Sequence, residues 1–268
     1  MKTVITMTSW TGRIQCVGFA IYRFLTTQTI MPDAFYLWLS TTEFPHRELD
    51  LPSELLAICH HFHVHICWVD LNEYCHKRWY VYPAHYNDLV ISIDDDVFYD
   101  PNLIKQALKY ATMYNNAIIN IGTPEYHPLA FNNSIARKFE PIQLDTPLKN
   151  MQLCGQCIVL PKSFPKEVVL EQYIKLRQQY CKKCDESFLT PFLVKHGTSI
   201  IAHKWHNIVD DELQYNAISN DMKSRKDIQI YVVLRIFNEC MESWKRLYPS
   251  YSTSYYDSLS LDKISALL

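Results

Sequence analysis

The run Leu89-Val90-Ile91-Ser92-Ile93 passes without a break into Asp94-Asp95-Asp96. β-branched residues favour a strand, and this one ends at the triplet. Carboxylates in succession at the end of such a strand repel one another, and burying them unpaired is costly. A hard divalent cation such as Mg²⁺ or Mn²⁺ resolves the conflict, because it prefers carboxylate, phosphate and water oxygens. Successive side chains of an extended segment alternate, so Asp94 and Asp96 address one ligand while Asp95 faces elsewhere. The competing reading is a solvated turn whose aspartates cap a helix opened by Pro101. The apolar run feeding the triplet weighs against it.

The chain before the triplet alternates strand and helix patterns. Strands are expected at 2–7, 34–40, 64–70, 88–93 and 117–121, with helices at 15–28, from 53 to about 61, at 74–85 and from Pro101 onward. Such alternation gives parallel βαβ units, whose ligands bind beyond the carboxyl ends of the strands. The polar segments 8–13, 70–72 and 94–96 all fall at such ends. Thr8, Ser9, Trp10, Arg13 and Asp70 therefore join the triplet as candidates for one site. Beyond residue 122, Pro124, Pro128, Pro141 and Pro147 mark a loop-rich stretch. A strand at 158–160, helices at 166–179 and 186–195, a strand at 199–203 and a long helix from 221 to about 247 are expected after it. The organisation expected is a catalytic domain over 1–210, split into halves 1–122 and 123–210, followed by a helical extension over 211–268.

Composition narrows the partners. The formal net charge of −2 gives no basic excess for nucleic acid. With only five glycines there is no Gly-rich dinucleotide or P-loop cradle. No segment approaches the roughly 18 apolar residues of a membrane span, and the first residues read as a strand and not a leader. A cytoplasmic protein with mostly reduced thiols is expected. Cys154-Gly155-Gln156-Cys157 and Cys181-Lys182-Lys183-Cys184 form two C-x-x-C pairs of the kind that hold structural zinc. The stretch 158–180 between them exceeds the usual spacing, and neither pair has a glycine-rich flank. Chance pairing in a cysteine-rich chain is the favoured reading.

Residues 89–99 resemble the D-x-D signature of GT-A-fold glycosyltransferases. Val4-Ile5-Thr6-Met7-Thr8-Ser9-Trp10 with Arg13, together with Gln28-Thr29-Ile30-Met31-Pro32-Asp33, Leu37-Trp38-Leu39-Ser40 and Glu43-Phe44-Pro45, is similar to the opening of bacterial surface-polysaccharide members. The resemblance spans about residues 3–105 and is patchy beyond. It implies a Rossmann-related, mostly parallel sheet flanked by helices, and a nucleoside-diphosphate sugar donor, UDP-linked by expectation. It implies that Asp96 binds Mn²⁺ or Mg²⁺ and that Asp94 lies near the donor ribose or sugar, with Asp95 beside them. Thr8, Ser9, Trp10 and Arg13 would line the nucleoside. Lys77 and Arg78 would approach the diphosphate, the alternative being a solvated helix face. The pair Asp185-Glu186 resembles the family's acidic pair at a helix start, where the catalytic base sits, and Asp185 is the favoured base. A late histidine often completes the metal shell of this fold, which makes His203 and His206 further candidates.

The function expected is inverting sugar transfer to a glycan or lipid-linked acceptor in capsule- or O-antigen-type polysaccharide synthesis. The stretch 228–247 could pack on the catalytic domain, pair with a second subunit as a homodimer, or rest peripherally on the inner face of the membrane. A metal-dependent nucleotidyltransferase or phosphohydrolase is the rival. The loop Thr8-Ser9-Trp10-Thr11-Gly12-Arg13 lacks the glycines that a nucleotidyltransferase of this topology carries.

Overall fold

The computed structural model describes residues 1–114 continuously, then 117–120, 147–148, 157–160, 171–180, 185, 189, 200–203 and 208–209. In chain order the elements are β1 (Thr3–Thr8), α1 (Ile14–Thr27), β2 (Ala34–Ser40), α2 (Ser53–His61), β3 (His65–Val69), a 3-10 segment (Tyr74–His85), β4 (Leu89–Ile93), β5 (Val97–Phe98), α3 (Leu103–Met113), β6 (Ala117–Asn120), β7 (Pro147–Leu148), β8 (Cys157–Leu160), α4 (Glu171–Tyr180), β9 (Ile200–His203) and β10 (Ile208–Val209). The expected C-terminal extension and residues Cys154, Cys181, Cys184, Glu186 and His206 lie outside the described residues.

β1 to β4 are parallel and lie in the order β3-β2-β1-β4. The chain leaves β1 toward one edge, then returns to the other side of β1 as β4. The carboxyl ends of β1 and β4 therefore flank the topological switch point, where sheets of this type bind ligands. Every residue of β4 is buried, Ser92 included, as in a strand covered on both faces. β3 carries an exposed His65 and intermediate neighbours, in keeping with an edge strand. Beyond β4 the sheet becomes mixed: β8 runs antiparallel to β4 and β6, followed by β9 and β7. The antiparallel insertion of β8 is not visible in the alternation of strand and helix patterns, which suggests parallel neighbours only.

α1 buries Ile14, Val17, Ala20, Ile21, Phe24 and Leu25, a stripe at helical spacing. Gly18 sits on that stripe facing α2, where a β-carbon would lie 3.2 Å from the Leu55 backbone. The glycine lets the two helices approach backbone to backbone. Gln28, just past α1, accepts from the Ile104 amide and donates to the Asp100 carbonyl, capping α3 from a distance. The loop after the triplet is pinned by this contact. No helix among the described residues is long and apolar enough to cross a membrane.

The expected helix at 74–85 is instead 3-10 throughout. Trp79, Tyr80, Val81 and Tyr82 are weak helix formers, and Pro83 lacks the amide an α-helix needs. The segment also buries residues on several sides, including His76, Lys77, Arg78, Trp79, Val81 and Tyr82. It is held from outside by an ion pair: Arg177 of α4 donates from Nε to Glu73 at 2.8 Å, both residues 1% exposed. Removing one partner of such a pair strands the other charge in the interior. Glu73→Ala is expected to lower unfolding free energy by about 3 kcal/mol in urea titration. A loss within experimental error would mean that the pair does not anchor the segment.

Candidate functional site

β1 and β4 are neighbours, so the loop after β1 meets the aspartates after β4 directly. Arg13, the residue before α1, places Nη2 2.6 Å from Asp95 Oδ1 and pairs through Nη1 with Asp96. Asp95 and Asp96 are 2% and 5% exposed, whereas the Asp94 side chain keeps 30% of its surface. The Asp94 amide donates to the Tyr99 hydroxyl at 2.6 Å, which fixes the backbone where the triplet begins. α1 starts at the same sheet end with no acidic residue in its first turn, so the positive end of its dipole faces this region.

The 3-10 segment supplies the other cations. Its residues advance about 120° per step, so consecutive side chains point in different directions. Lys77 reaches the Ser9 carbonyl and Glu43, each at 3.0 Å, and is 1% exposed. It is neither on a solvated face nor an unclaimed charge: it fixes the β1 loop. Arg78 donates from Nη1 to Asp94 at 2.8 Å and to Ser92 at 3.0 Å, and from Nε to Asp185 at 2.8 Å. Trp79 Nε1 donates to the same Asp185 oxygen, Oδ2, at 2.7 Å. Asp185, 1% exposed and distant in sequence, is thereby joined to the triplet through a single guanidinium.

Asp94, Asp95, Asp96 and Asp185 face Arg13 and Arg78, while Lys77 is offset by Glu43. Among the described residues, four carboxyls here face two guanidiniums. Burial pushes the Asp94 carboxyl up to about 6; Arg78 opposes the shift, and Asp96 and Asp185 add to it. Burial likewise raises Asp95 and Asp96 against the pull of Arg13. The donor set is all oxygen and crowded with carboxyls, which fits a hard divalent cation. Among the described residues no three side chains form a ready chelating group. A cation here would complete its shell with phosphate and water oxygens, as Mg²⁺ sites commonly do.

The remaining candidates are dispersed. Thr8 bonds the Trp38 carbonyl through its hydroxyl at 2.8 Å. The Trp10 indole lies over Gly12, where a β-carbon would fall within 2.5 Å of the ring. Trp10 Nε1 is buried and has no hydrogen-bond partner among the described residues. Asp70 is exposed at the end of β3, two strands from β1 and therefore about 10 Å along the sheet. His203 ends β9, three strands from β4, and its Nδ1 lies 3.0 Å from the Tyr110 hydroxyl. After β9 the chain returns as β10 to pair antiparallel with β5, Val209 opposite Val97, next to Asp96. Glu43, Trp79 and Ser92 also contact these residues, although the sequence reading gave none of them a role in the site. Nothing local marks them, since their roles arise from contacts with residues far away in the chain.

No protein-family model and no curated protein sequence matches the chain. Solved structures do. S. aureus TarS aligns over 97% of this chain and 42% of its own length, with TM-score 0.50 and 10% identity. Its 1–349 fragment aligns over 100% of this chain and 83% of the fragment, at 0.47 and 9%. A Desulfovibrio desulfuricans G20 protein described as a nucleotide-diphospho-sugar transferase aligns over 91% and 99%, at 0.41 and 12%. At these identities the likeness is one of fold: an α/β, GT-A-like arrangement with a mostly parallel mixed sheet.

The crowding of carboxyls has a measurable consequence. A carboxyl whose folded value is raised from 3.8 to about 6 costs stability while ionised, and the cost disappears as pH falls and the group is neutral in both states. Asp94→Asn is expected to raise the metal-free thermal midpoint near neutral pH by a few degrees at most, given its partial exposure. The gain should shrink as pH falls through about 6 and reach zero only below about pH 3. A lower midpoint near neutral pH would show that Asp94 is stabilised as an anion.

Proposed function

We propose that the chain is an inverting, divalent-cation-dependent glycosyltransferase that takes a sugar from a nucleoside-diphosphate donor, UDP-linked by first choice. The acceptor is a glycan or lipid-linked glycan of a bacterial surface polysaccharide. The observation that carries this reading is the clustering of Asp94, Asp95, Asp96 and Asp185 around two guanidiniums at the β1/β4 switch point, beside the N-terminus of α1. A cation and a diphosphate together satisfy such a site, because each neutralises what the other leaves over. Sequence resemblance over the same strands supports the assignment, and so does the fold.

In this reading Asp96 and Asp94 hold Mn²⁺ or Mg²⁺, which supplies charge stabilisation for the departing diphosphate. His206 is a further candidate ligand in this reading on the sequence resemblance alone. Thr8, Ser9 and Trp10 receive the nucleoside, and the unpartnered Trp10 Nε1 gives that pocket a donor for a base or ribose oxygen. Arg78 sits between donor and acceptor sides. Asp185 is oriented through Oδ2 by Arg78 and Trp79. Its Oδ1 has the longer contact, 3.4 Å to Arg78, and takes the acceptor hydroxyl proton. The acceptor oxygen then bonds to the anomeric carbon while the bond from that carbon to the diphosphate oxygen breaks on the opposite face.

Two variants test the assignment. Asp96→Ala should abolish transfer and metal-dependent binding of the nucleoside diphosphate while the circular dichroism spectrum is unchanged. Undiminished transfer by that variant, or full wild-type activity in chelator, would overturn the metal reading. Metal-dependent donor cleavage that stays strictly hydrolytic with every acceptor would favour a phosphohydrolase. Asp185→Asn should lower turnover by about two orders of magnitude, the scale of lost general-base help, with donor affinity nearly unchanged. Glu186→Gln should do less. If the Glu186 change is the more damaging, the base is assigned to the wrong member of the pair.

A further inference from the structure

The triplet has more carboxylates than a single cation addresses, and the contacts of Arg13 account for the third. Asp95 is 2% exposed and holds Arg13 Nη2 at 2.6 Å. The other arm of the same guanidinium lies on Asp96, the carboxylate to which the reading above gives the metal. Arg13 immediately precedes α1, and its side chain is 14% exposed. It is thus anchored at one nitrogen on a buried anion while its second nitrogen occupies a site where a cation belongs.

We propose that Arg13 is a tethered counter-cation that makes divalent-metal binding conditional on the nucleotide. The proposal rests on the transferase reading. In the empty site Arg13 competes with the metal for Asp96. An incoming diphosphate offers the Nη1 arm a new anion while the Asp95 tether keeps the guanidinium in place. Asp96 then turns to the metal, and the diphosphate supplies the oxygens that the protein lacks. A planar fork with two separated donors can make this exchange one arm at a time, which a compact ammonium cannot. Metal and nucleotide thereby raise each other's affinity, and the coupling must be reciprocal. Arg13 is a positioning residue in this scheme, and Asp95 serves it.

The test is direct Mn²⁺ binding to the full chain, by electron paramagnetic resonance or calorimetry, alone and with saturating UDP, GDP, CDP or dTDP. For the wild type, free Mn²⁺ should bind weakly, and the matching nucleotide should tighten it by about tenfold or more. Arg13→Met removes the competitor, so Mn²⁺ alone should bind about tenfold tighter and the nucleotide should add correspondingly less. Arg13→Lys keeps the charge but loses the fork, and should change free Mn²⁺ binding in the same direction by a smaller factor. It also keeps the test open should the methionine variant fold poorly. Wild-type coupling together with unchanged or weaker free Mn²⁺ binding in both variants would overturn the proposal and leave the transferase reading intact. Equal Mn²⁺ affinity of the wild type with and without every nucleotide would do the same. No Mn²⁺ binding by the wild type under any condition would remove the transferase reading, and this proposal with it.

Discussion

The site rests on a crowd of carboxylates at one sheet end. Among the described residues, Asp94, Asp95, Asp96 and Asp185 converge on Arg13 and Arg78, Lys77 being paired with Glu43. In a buried setting that crowding is expensive, and the raised carboxyl of Asp94 records the expense. The surrounding structure is arranged so that the crowding persists. β4 is buried throughout, and the backbone at Asp94 is fastened to Tyr99. Asp95 and Asp96 are thereby held buried, whereas the Asp94 side chain keeps 30% of its surface.

The 3-10 segment explains how two guanidiniums serve four carboxylates. An α-helix over the same residues would present Lys77, Arg78 and Trp79 about 100° apart along a shorter rise. The tighter helix instead sends Lys77 to the β1 loop, Arg78 to Asp94 and Trp79 to Asp185 within a single turn. Thr6 of β1 donates to the Arg78 carbonyl at 2.6 Å, which locks the segment against the central strand. Glu73 and Arg177 clamp its start. Several buried charges thus surround a stretch whose own sequence is poor at forming any helix. Its conformation is imposed by tertiary contacts.

The parts of the fold that were legible in the sequence are those with a local cause. β2 and α2 fall where alternation and Pro52 place them, and β4 runs into the triplet as its apolar pattern requires. The 3-10 state of residues 74–85 was not legible, because burial on several sides erases the periodicity that separates helix types. The antiparallel β8 and the β5–β10 pairing were hidden for another reason: each joins segments separated by long stretches, and short strands carry no record of their partners. In the site, the triplet and Arg13 stood out by residue type. The placement of Arg13 on Asp95 and Asp96 did not, since alternation predicts only that Asp95 points elsewhere. Lys77 illustrates the same limit: a lysine on a nominal helix face reads as solvated until Ser9 and Glu43 close around it.

These contacts also decide which parts of the site can respond to a ligand. The main chain after β4 is held at Asp94 by Tyr99, at Asn102 by the Asp100 carboxylate and at Ile104 by Gln28. A loop tied at successive points is a poor candidate for a lid. Its side chains are different, because a guanidinium bound to two carboxylates can exchange one of them for a phosphate without moving backbone. Arg13 and Arg78 both have that bidentate arrangement, one at Asp95 and Asp96 and the other between Asp94 and Asp185. Change on ligand entry is therefore concentrated in two arginine side chains over a preorganised floor. Under the proposed transferase reading, such an arrangement keeps the reorganisation cost of each turnover small while the electrostatic balance of the site shifts as a whole.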